Sequence, residues 1–308
     1  MLTGGHDPRA TVARMGADTG QLGFDLGVDV RPLPRATPAR LANWESCPRR
    51  FRMAYLDRPA PTRGGAWAHH TLGAVVHLAL RALFDLPARA RTPDAAQALL
   101  DRNWSAEGYR DRAQSDRYRA AARGWLAAYT ADHELDDPTA APAGVERWVS
   151  ETVGTGERRL VAEGRVDRID TRGGEAVVVD YKTGRHVPTD DDARDSRALA
   201  LYAAATGAAL HRPCRRVELH HVPTGHVAVF EHDAATFGAH LDRAHTLATE
   251  ADDAAEALAG GGDPDALFPP RTSPGCTTCD VRRHCPEGRA AAPAAQPWAF
   301  LRDPPGAS

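Results

Sequence analysis

Two neighbouring segments of the sequence decide the fold. They read Gly164-Arg165-Val166-Asp167-Arg168-Ile169-Asp170 and Val177-Val178-Val179-Asp180-Tyr181-Lys182-Thr183-Gly184. The turn at Gly173-Gly174 predicts that the two strands pair, and the unbroken apolar run before Asp180 indicates a strand buried on both faces. Because residues i and i+2 of a strand point the same way, Asp180 and Lys182 share a face. Pairing would also bring Asp167 close to Asp180.

Two converging carboxylates repel each other unless a cation lies between them. A hard divalent ion, Mg²⁺ or Mn²⁺, is therefore the expected occupant. Lys182 is the single lysine among 38 basic residues, and an ammonium can release a proton where a guanidinium cannot. A lysine beside the metal could orient or deprotonate a water molecule. The alternative is an exposed ion pair at a strand edge, which the buried strand and the single lysine both disfavour.

The rest of the chain predicts a mixed α/β (α+β) core with a helical part before it. Residues 1–35 and 289–308 have the composition of disordered tails, and 36–288 form one domain with a helical part over 37–135 and a sheet core over 144–260. Apolar periodicity predicts helices, and alternation with turn residues predicts strands. The predicted helices span about 37–55 with an interruption at Cys47-Pro48, 66–86, 94–107, 115–133, 191–206 and 234–259. The predicted strands span about 145–153, 159–170, 175–181, 215–222 and 226–232.

The two opening segments resemble the core of the PD-(D/E)XK nucleases, in particular the RecB-like exonuclease branch. That branch also carries a helical Gly-x-x-x-His, matched here by Gly73 and His77. The resemblance implies a restriction-endonuclease-like fold and metal-dependent hydrolysis of DNA. It assigns metal binding to His77, Asp167 and Asp180, with the backbone carbonyl of Tyr181 as a further ligand, and assigns the attacking water to Lys182.

Two further positions bear on this resemblance. Glu146 matches an acid often found on the first strand of the branch, and we weigh support of the metal site equally with a plain exposed strand acid. The branch commonly has a Gln-x-x-x-Tyr helix after the lysine strand, whereas this chain has Ala198 and Tyr202. The tyrosine is kept and the glutamine is lost, although the neighbouring Arg197 could substitute for it. The loss favours an alternative function, a non-catalytic module of the same fold that binds single-stranded DNA.

Four of the five cysteines form a pattern typical of a metal site. Cys276, Cys279 and Cys285 make C-x₂-C-x₅-C, and Cys47 is the candidate fourth ligand. Spacing alone allows zinc or a [4Fe-4S] cluster, and His284 offers a zinc-favouring fourth ligand. The arrangement is similar to RecB-like nucleases of the AddB type, which implies a [4Fe-4S] cluster in a cysteine clasp, residues 271–288 with Cys47. Cys214 is expected to be a small buried residue.

Charge and composition limit the partners. The net charge of −3 excludes a globally basic nucleic-acid coat protein, but seven arginines against two acids between residues 35 and 63 make a local basic patch, of which Arg49, Arg50 and Arg52 are the candidate DNA contacts. The expected partner is DNA, single-stranded or with free ends. No P-loop motif is present, so a helicase would act in trans. The sequence shows no membrane span or targeting segment, which predicts a cytoplasmic protein.

Overall fold

A computed structural model describes residues 31–133, 135 and 142–301. The strands are β1 (Arg35–Ala36), β2 (Gly144–Val153), β3 (Leu160–Arg172), β4 (Glu175–Lys182), β5 (Arg216–His221) and β6 (His226–Glu231). The longer helices are α1 (Pro38–Ser46), α2 (Pro48–Tyr55), α3 (Ala68–Phe84), α4 (Pro93–Asn103), α5 (Arg112–Asp132), α6 (Asp190–Asp195), α7 (Arg197–Leu210) and α8 (Ala234–Ala259). Two short helices follow, α9 (Pro264–Leu267) and α10 (Pro286–Ala291).

One mixed sheet connects the six described strands. Its order is β1-β3-β4-β5-β6, and β2 also pairs with β3. The β1–β3 and β4–β5 pairs are parallel, and the other pairs are antiparallel. The predicted α/β class is thereby confirmed, and the strand pairing that the Gly173-Gly174 turn predicted is present.

Helices cover both faces of this sheet. Val178 packs into a cluster with residues of α1, α7 and α8, whereas Val177, Val179 and Tyr181 pack into a second cluster with α3, α4 and α5. Consecutive side chains of β4 thus enter opposite cores, as the unbroken apolar run predicted. A strand buried on both faces holds its carboxyl end, where Asp180 and Lys182 lie, in a rigid position.

Capping residues set the helix boundaries near the site. Cys47 ends α1 and begins α2, with Pro48 at the first helical position. Ser196 separates α6 from α7 and its hydroxyl accepts a hydrogen bond from the Leu199 amide. The sequence predicted one helix over 191–206. It missed the Ser196 break because a serine at a helix N-cap and a serine inside a helix look alike in the apolar pattern.

The described residues beyond 288 differ from the prediction of a disordered tail over 289–308. The chain stays packed as far as Leu301: the Ala68 amide donates to the carbonyl of Pro297 at 3.1 Å, and Trp298 and Leu301 lie against the α3–α5 core. The side chains of Trp298 and Leu301 are partly buried, which the Ala- and Pro-rich composition of this segment does not indicate. The predicted tails over 1–30 and 302–308 lie outside the described residues.

Candidate active site

Three carboxylates lie side by side across three neighbouring strands. The β2–β3 and β3–β4 registers place Asp167 of β3 opposite Glu146 of β2 on one side and opposite Asp180 of β4 on the other. The register pairs that establish this are Val145–Arg168 and Arg168–Val179. Because opposite residues of adjacent strands lie close together, one row of the sheet concentrates negative charge.

His77 joins this row from α3. Its Nδ1 lies 3.3 Å from Oδ2 of Asp167, and its Nε2 lies 3.1 Å from the carbonyl oxygen of Tyr181. The Tyr181 amide donates to the same Asp167 oxygen at 3.0 Å. Burial alone would lower the pKa of His77, but its bond to Asp167 and the negative charge of Asp180 outweigh burial and raise it. The neighbouring acids therefore favour the protonated form of His77.

Possible metal-ligand atoms meet here. One ligand atom each of His77, Glu146 and Asp167 lie within 4.8 Å of one another. Carboxylate oxygens with one imidazole nitrogen suit a divalent ion such as Mg²⁺ or Mn²⁺. The structure therefore brings together two of the predicted metal ligands, His77 and Asp167, with Glu146, for which support of the metal site and a plain exposed acid were weighed equally. The strand register is the signal that points to Glu146.

Asp180 and Lys182 make a close pair beside this group. The Nζ of Lys182 lies 2.6 Å from Oδ2 of Asp180, and that oxygen is buried without a hydrogen bond of good geometry from the described residues. Burial raises the pKa of Asp180, Lys182 opposes the rise, and the like charge of Asp167 adds to it. A buried oxygen short of donors is a ready ligand for a cation.

The backbone of Glu146 is unusual. Its φ of +48° lies in the left-handed region, which a non-glycine residue adopts at a cost of about 1–3 kcal/mol. Its carboxylate is only partly exposed and lies 3.0 Å from the guanidinium of Arg165 on the paired strand. Strain of this kind persists only where surrounding contacts hold it, and here it keeps an acid next to Asp167.

Tyr202 of α7 lies against Gly164 of β3, near the acids. A Cβ atom at Gly164 would come within 2.6 Å of its ring, so only glycine allows α7 to approach β3 this closely. Burial raises the pKa of Tyr202 to about 12, and the charges of Asp180 and Asp167 add to the rise. Its hydroxyl thus stays protonated near the acids. Arg197 does not replace the missing glutamine, because both its terminal nitrogens bind Glu45 at 2.8 Å.

A buried polar network supports the site from the opposite side of β4, and the sequence did not predict it. Arg168 is 4% exposed and donates to the Tyr181 hydroxyl at 3.1 Å and to Asp170 at 3.0 Å. Alternation along β3 is the signal that could have found it, because Arg168 follows Asp167 and must point to the opposite face. The network anchors the Tyr181 side chain and so steadies its carbonyl beside His77.

The four cysteines of the predicted clasp line a single cavity of about 270 Å³: Cys47, Cys276, Cys279 and Cys285. The Arg271 amide points at the Cys47 sulfur at 3.5 Å, and the Gly288 amide at the Cys285 sulfur at 3.3 Å. Within the described ranges, no three of these sulfurs lie within 4.8 Å of one another. Amides aimed at sulfur suit thiolates, so the residues present fit a metal or cluster.

The other candidates for this centre lie elsewhere. The Nε2 of His284 is 3.0 Å from the carbonyl of Thr62, and the ring does not line the cavity. Cys214 is 5% exposed in the core between the sheet and α7, and burial raises its pKa to about 12. Neither residue is placed to join the four sulfurs.

The arginines expected to contact DNA have carboxylate partners within the chain. Arg49 is 9% exposed and binds Glu287 at 2.8 Å and Asp265 at 3.0 Å. Arg52 is nearly as buried and lies beside Asp57, and Arg50 binds Asp280 at 2.8 Å. These arginines are paired because acids more than 200 residues away in the sequence, in and near the clasp, pack against α2. The pairing leaves little of Arg49 or Arg52 to touch a phosphate.

The comparison with family models agrees with this geometry. The model described as the PD-(D/E)XK nuclease superfamily matches residues 35–286. The chain belongs to the PD-(D/E)XK nuclease superfamily. Membership implies a nuclease, hence a hydrolase of phosphodiester bonds in nucleic acid. A search of the curated proteins found no match. In the part of the chain that the structure describes, no helix is long and apolar enough to span a membrane.

Proposed function

We propose that the protein is a Mg²⁺- or Mn²⁺-dependent deoxyribonuclease of the RecB-like branch. The observation that carries this proposal is the convergence of His77, Glu146 and Asp167 next to the Asp180–Lys182 pair. His77, Asp167 and Asp180 would hold the metal, with Glu146 and the carbonyl of Tyr181 completing the set. When bound, the ion neutralises the carboxylates and stabilises charge that develops on the phosphoryl oxygens.

The residues around the metal position have separate roles in the hydrolysis. Lys182 is half exposed and held against Asp180. As an ammonium its N–H groups can orient the attacking water, and as a neutral amine it can take the proton that the water loses, which then becomes available to the leaving oxygen. The water oxygen forms a new bond to phosphorus, the bond to the leaving sugar oxygen breaks, and that oxygen gains a proton. Tyr202, kept protonated by its surroundings, is placed to donate a hydrogen bond near the acids. These positioning and electrostatic terms are the usual sources of phosphoryl-transfer catalysis.

The substrate proposed is DNA that is single-stranded or has free ends, as in repair or recombination, with any helicase acting as a separate chain in the cytoplasm. The second candidate is the non-catalytic single-strand-binding module, which the replacement of the family glutamine by Ala198 favours. The intact Asp180–Lys182 pair supports catalysis over that alternative.

A nuclease assay tests the catalytic proposal. Labelled single- and double-stranded DNA, with free and with blocked ends, is incubated with Mn²⁺ and with the wild type, Lys182→Ala, Lys182→Arg and Asp180→Asn. We expect hydrolysis by the wild type and a loss of about 10²-fold or more in each variant; Lys182→Arg keeps the charge but cannot release a proton. Asp252→Asn, an α8 acid paired with Arg40, is the control and should retain activity. Equal inertness of wild type and variants would refute hydrolysis and leave the binding module.

We further propose a [4Fe-4S] cluster in the cysteine clasp. A tetrahedral zinc site holds its sulfurs about 3.8 Å apart, since each Zn–S bond is about 2.3 Å. The four cysteines line one cavity, and their order in the chain, one far upstream and three clustered downstream, is similar to that of the AddB-type cluster, which supports the cubane over zinc. The arrangement would tie the α1–α2 junction to the C-terminal segment.

Anaerobic purification tests this cofactor. We expect a brown protein with four iron and four sulfide per chain, and a colourless, iron-poor Cys276→Ser variant. Cys214→Ser is the matched control, because Cys214 lies in the core away from the cavity, and it should remain brown. A colourless wild type with stoichiometric zinc would exclude the cluster.

A further inference from the structure

A second, larger cavity opens beside Lys182. It has a volume of about 840 Å³ and lies where the end of β4 meets α3, α5 and the C-terminal segment. Lys182, Thr183 and Arg185 line one wall, and Trp125, Phe300 and Leu301 line others. The cavity adjoins the candidate active site, because Tyr181 and Lys182 line it and also lie beside the acids.

The charge of the lining suits an anionic strand. Among the described residues that line the cavity, none is acidic, whereas Lys182, Arg185 and three histidines are present. Arg185 is exposed and makes no ion pair with any described residue. This local balance contrasts with a whole-chain charge of −3. The exposed Arg185, together with Lys182 beside its partner Asp180, is where a phosphate backbone would be drawn.

The remaining surface suits nucleobases. Trp125 and Phe300 present aromatic rings to the cavity, and Phe300, 39% exposed, lies 5.7 Å from the rings of both Trp67 and His69. Aromatic rings in a basic groove are the usual means of binding single strands without regard to sequence. Ring contacts on the far side hold Phe300 in place and reduce the entropy lost when a base stacks on it.

The size of the cavity selects against a duplex. Its volume is that of a cube about 9 Å on edge, whereas the major groove alone of B-DNA is about 12 Å wide. An unpaired strand can place successive bases in such a space, and a double helix cannot.

We propose that this cavity is a nucleobase-binding pocket that holds unpaired nucleotides next to the phosphate to be cleaved. Trp125 and Phe300 stack on the bases, and Arg185 contacts the backbone. The C-terminal residues Phe300 and Leu301 are thus part of the substrate site. This proposal rests on the proposed nuclease function for the identity of the neighbouring site, and it adds the determinant of strand preference.

Binding measured without hydrolysis tests the pocket. The full-length protein, purified anaerobically, is titrated into fluorescently labelled oligo(dT) and into a blunt duplex in EDTA, and anisotropy gives Kd. We expect Phe300→Ala and Trp125→Ala each to weaken oligo(dT) binding about 5- to 150-fold, the range of about 1–3 kcal/mol per stacked base. Arg185→Ala should weaken it less, and duplex binding should not change in any of them.

Two controls keep the outcomes apart. Trp148→Ala removes an aromatic ring that is 60% exposed on β2 and does not line the cavity, so oligo(dT) binding should be unchanged. Trp125 also packs on the α3–α5 core, so Trp125→Ala could unfold the protein. In that case the exposed Phe300 is the test: Phe300→Ala should weaken oligo(dT) binding and Phe300→Trp should restore it. Unchanged Kd in Phe300→Ala and Arg185→Ala, or equal weakening by Trp148→Ala, would overturn the pocket even if the protein cleaves DNA. Binding that depends on Phe300 in a protein without hydrolytic activity would instead overturn only the nuclease proposal.

Discussion

At the scale of single residues, the structure explains why position 73 is a glycine. A Cβ at this position would lie 3.2 Å from the hydroxyl oxygen of Thr183, so glycine lets α3 bring His77 against the end of β4. We expect Gly73→Ala to slow DNA hydrolysis about tenfold, because the histidine would move by a few tenths of an ångström and catalysis is sensitive to such shifts. Steady-state cleavage of labelled DNA measures the effect.

The matched control is Gly124→Ala on α5, where an added Cβ meets no atom within 4 Å. This exposed helical position should gain up to about 1 kcal/mol of unfolding free energy from the better helix propensity of alanine, with unchanged hydrolysis. If Gly73→Ala behaves as Gly124→Ala does, the close approach of α3 is unimportant for the site.

His232 gives the protein a pH dependence of stability. The residue is 1% exposed, neither ring nitrogen has a hydrogen-bond partner among the described residues, and burial lowers its pKa to about 4. The unfolded histidine has a pKa of about 6.5, so between pH 6.5 and 4 the unfolded chain binds a proton that the folded chain does not. Stability should therefore fall as the pH drops through this window, with a slope from this group of at most about 1.4 kcal/mol per unit.

Urea unfolding at pH 7 and pH 5 checks this expectation. His232→Phe, which keeps an aromatic ring beside Phe230 and Phe237, should lose less stability at pH 5 than the wild type does. His226→Phe, at an exposed histidine, should keep the wild-type difference. Equal losses in all three proteins would show that His232 does not titrate in this window.

At the scale of elements, α2 and the C-terminal segment are joined by Arg49. Its guanidinium is buried and binds one carboxylate on each side, Glu287 and Asp265. Removing a buried charge partner costs about 3–5 kcal/mol when both partners are buried. Because these acids are partly exposed, we expect Arg49→Ala to lower the unfolding free energy by about 1–3 kcal/mol.

Arg50→Ala is the comparison, since Arg50 is more exposed and, among the described residues, forms its ion pair with Asp280; its cost should stay below about 1 kcal/mol. Denaturant unfolding measures both. A normal stability for Arg49→Ala together with a large loss of DNA affinity would restore the direct DNA contact that the sequence suggested for this arginine.

The elements themselves were largely readable from the sequence. The strands around Gly173-Gly174 and the helix over 234–259 follow from alternation, turn residues and periodicity, and the structure has them within about two residues. The strand β1 was missed because two residues carry no periodicity and pair only through a partner distant in sequence. The break at Ser196 and the packed segment up to Leu301 were missed because both depend on contacts rather than on composition.

At the scale of the whole molecule, net charge and local charge differ. The chain carries −3 overall, yet the cavity beside Lys182 has a lining without acids among the described residues. If Lys182 and Arg185 are the cations that a single strand neutralises, log Kd for oligo(dT) should rise with log salt with a slope of about 1.4, at about 0.7 per cation. Titrations between low and moderate salt measure it, and a slope several times larger would indicate a broad basic face instead.

The sequence by itself determined the superfamily, through the resemblance of its motifs, and the paired strands that carry Asp167, Asp180 and Lys182. The strands follow from local patterns, because alternation and turn chemistry act between near neighbours in the chain, whereas His77 was predicted from the resemblance alone. Only the tertiary structure decided what lies beside them: Glu146 opposite Asp167, Tyr202 over Gly164, acids that bind the arginines of α2, and Phe300 in the wall of the cavity. Each of these contacts joins residues far apart in sequence, and their distances depend on how the helices and strands pack, which no local pattern records.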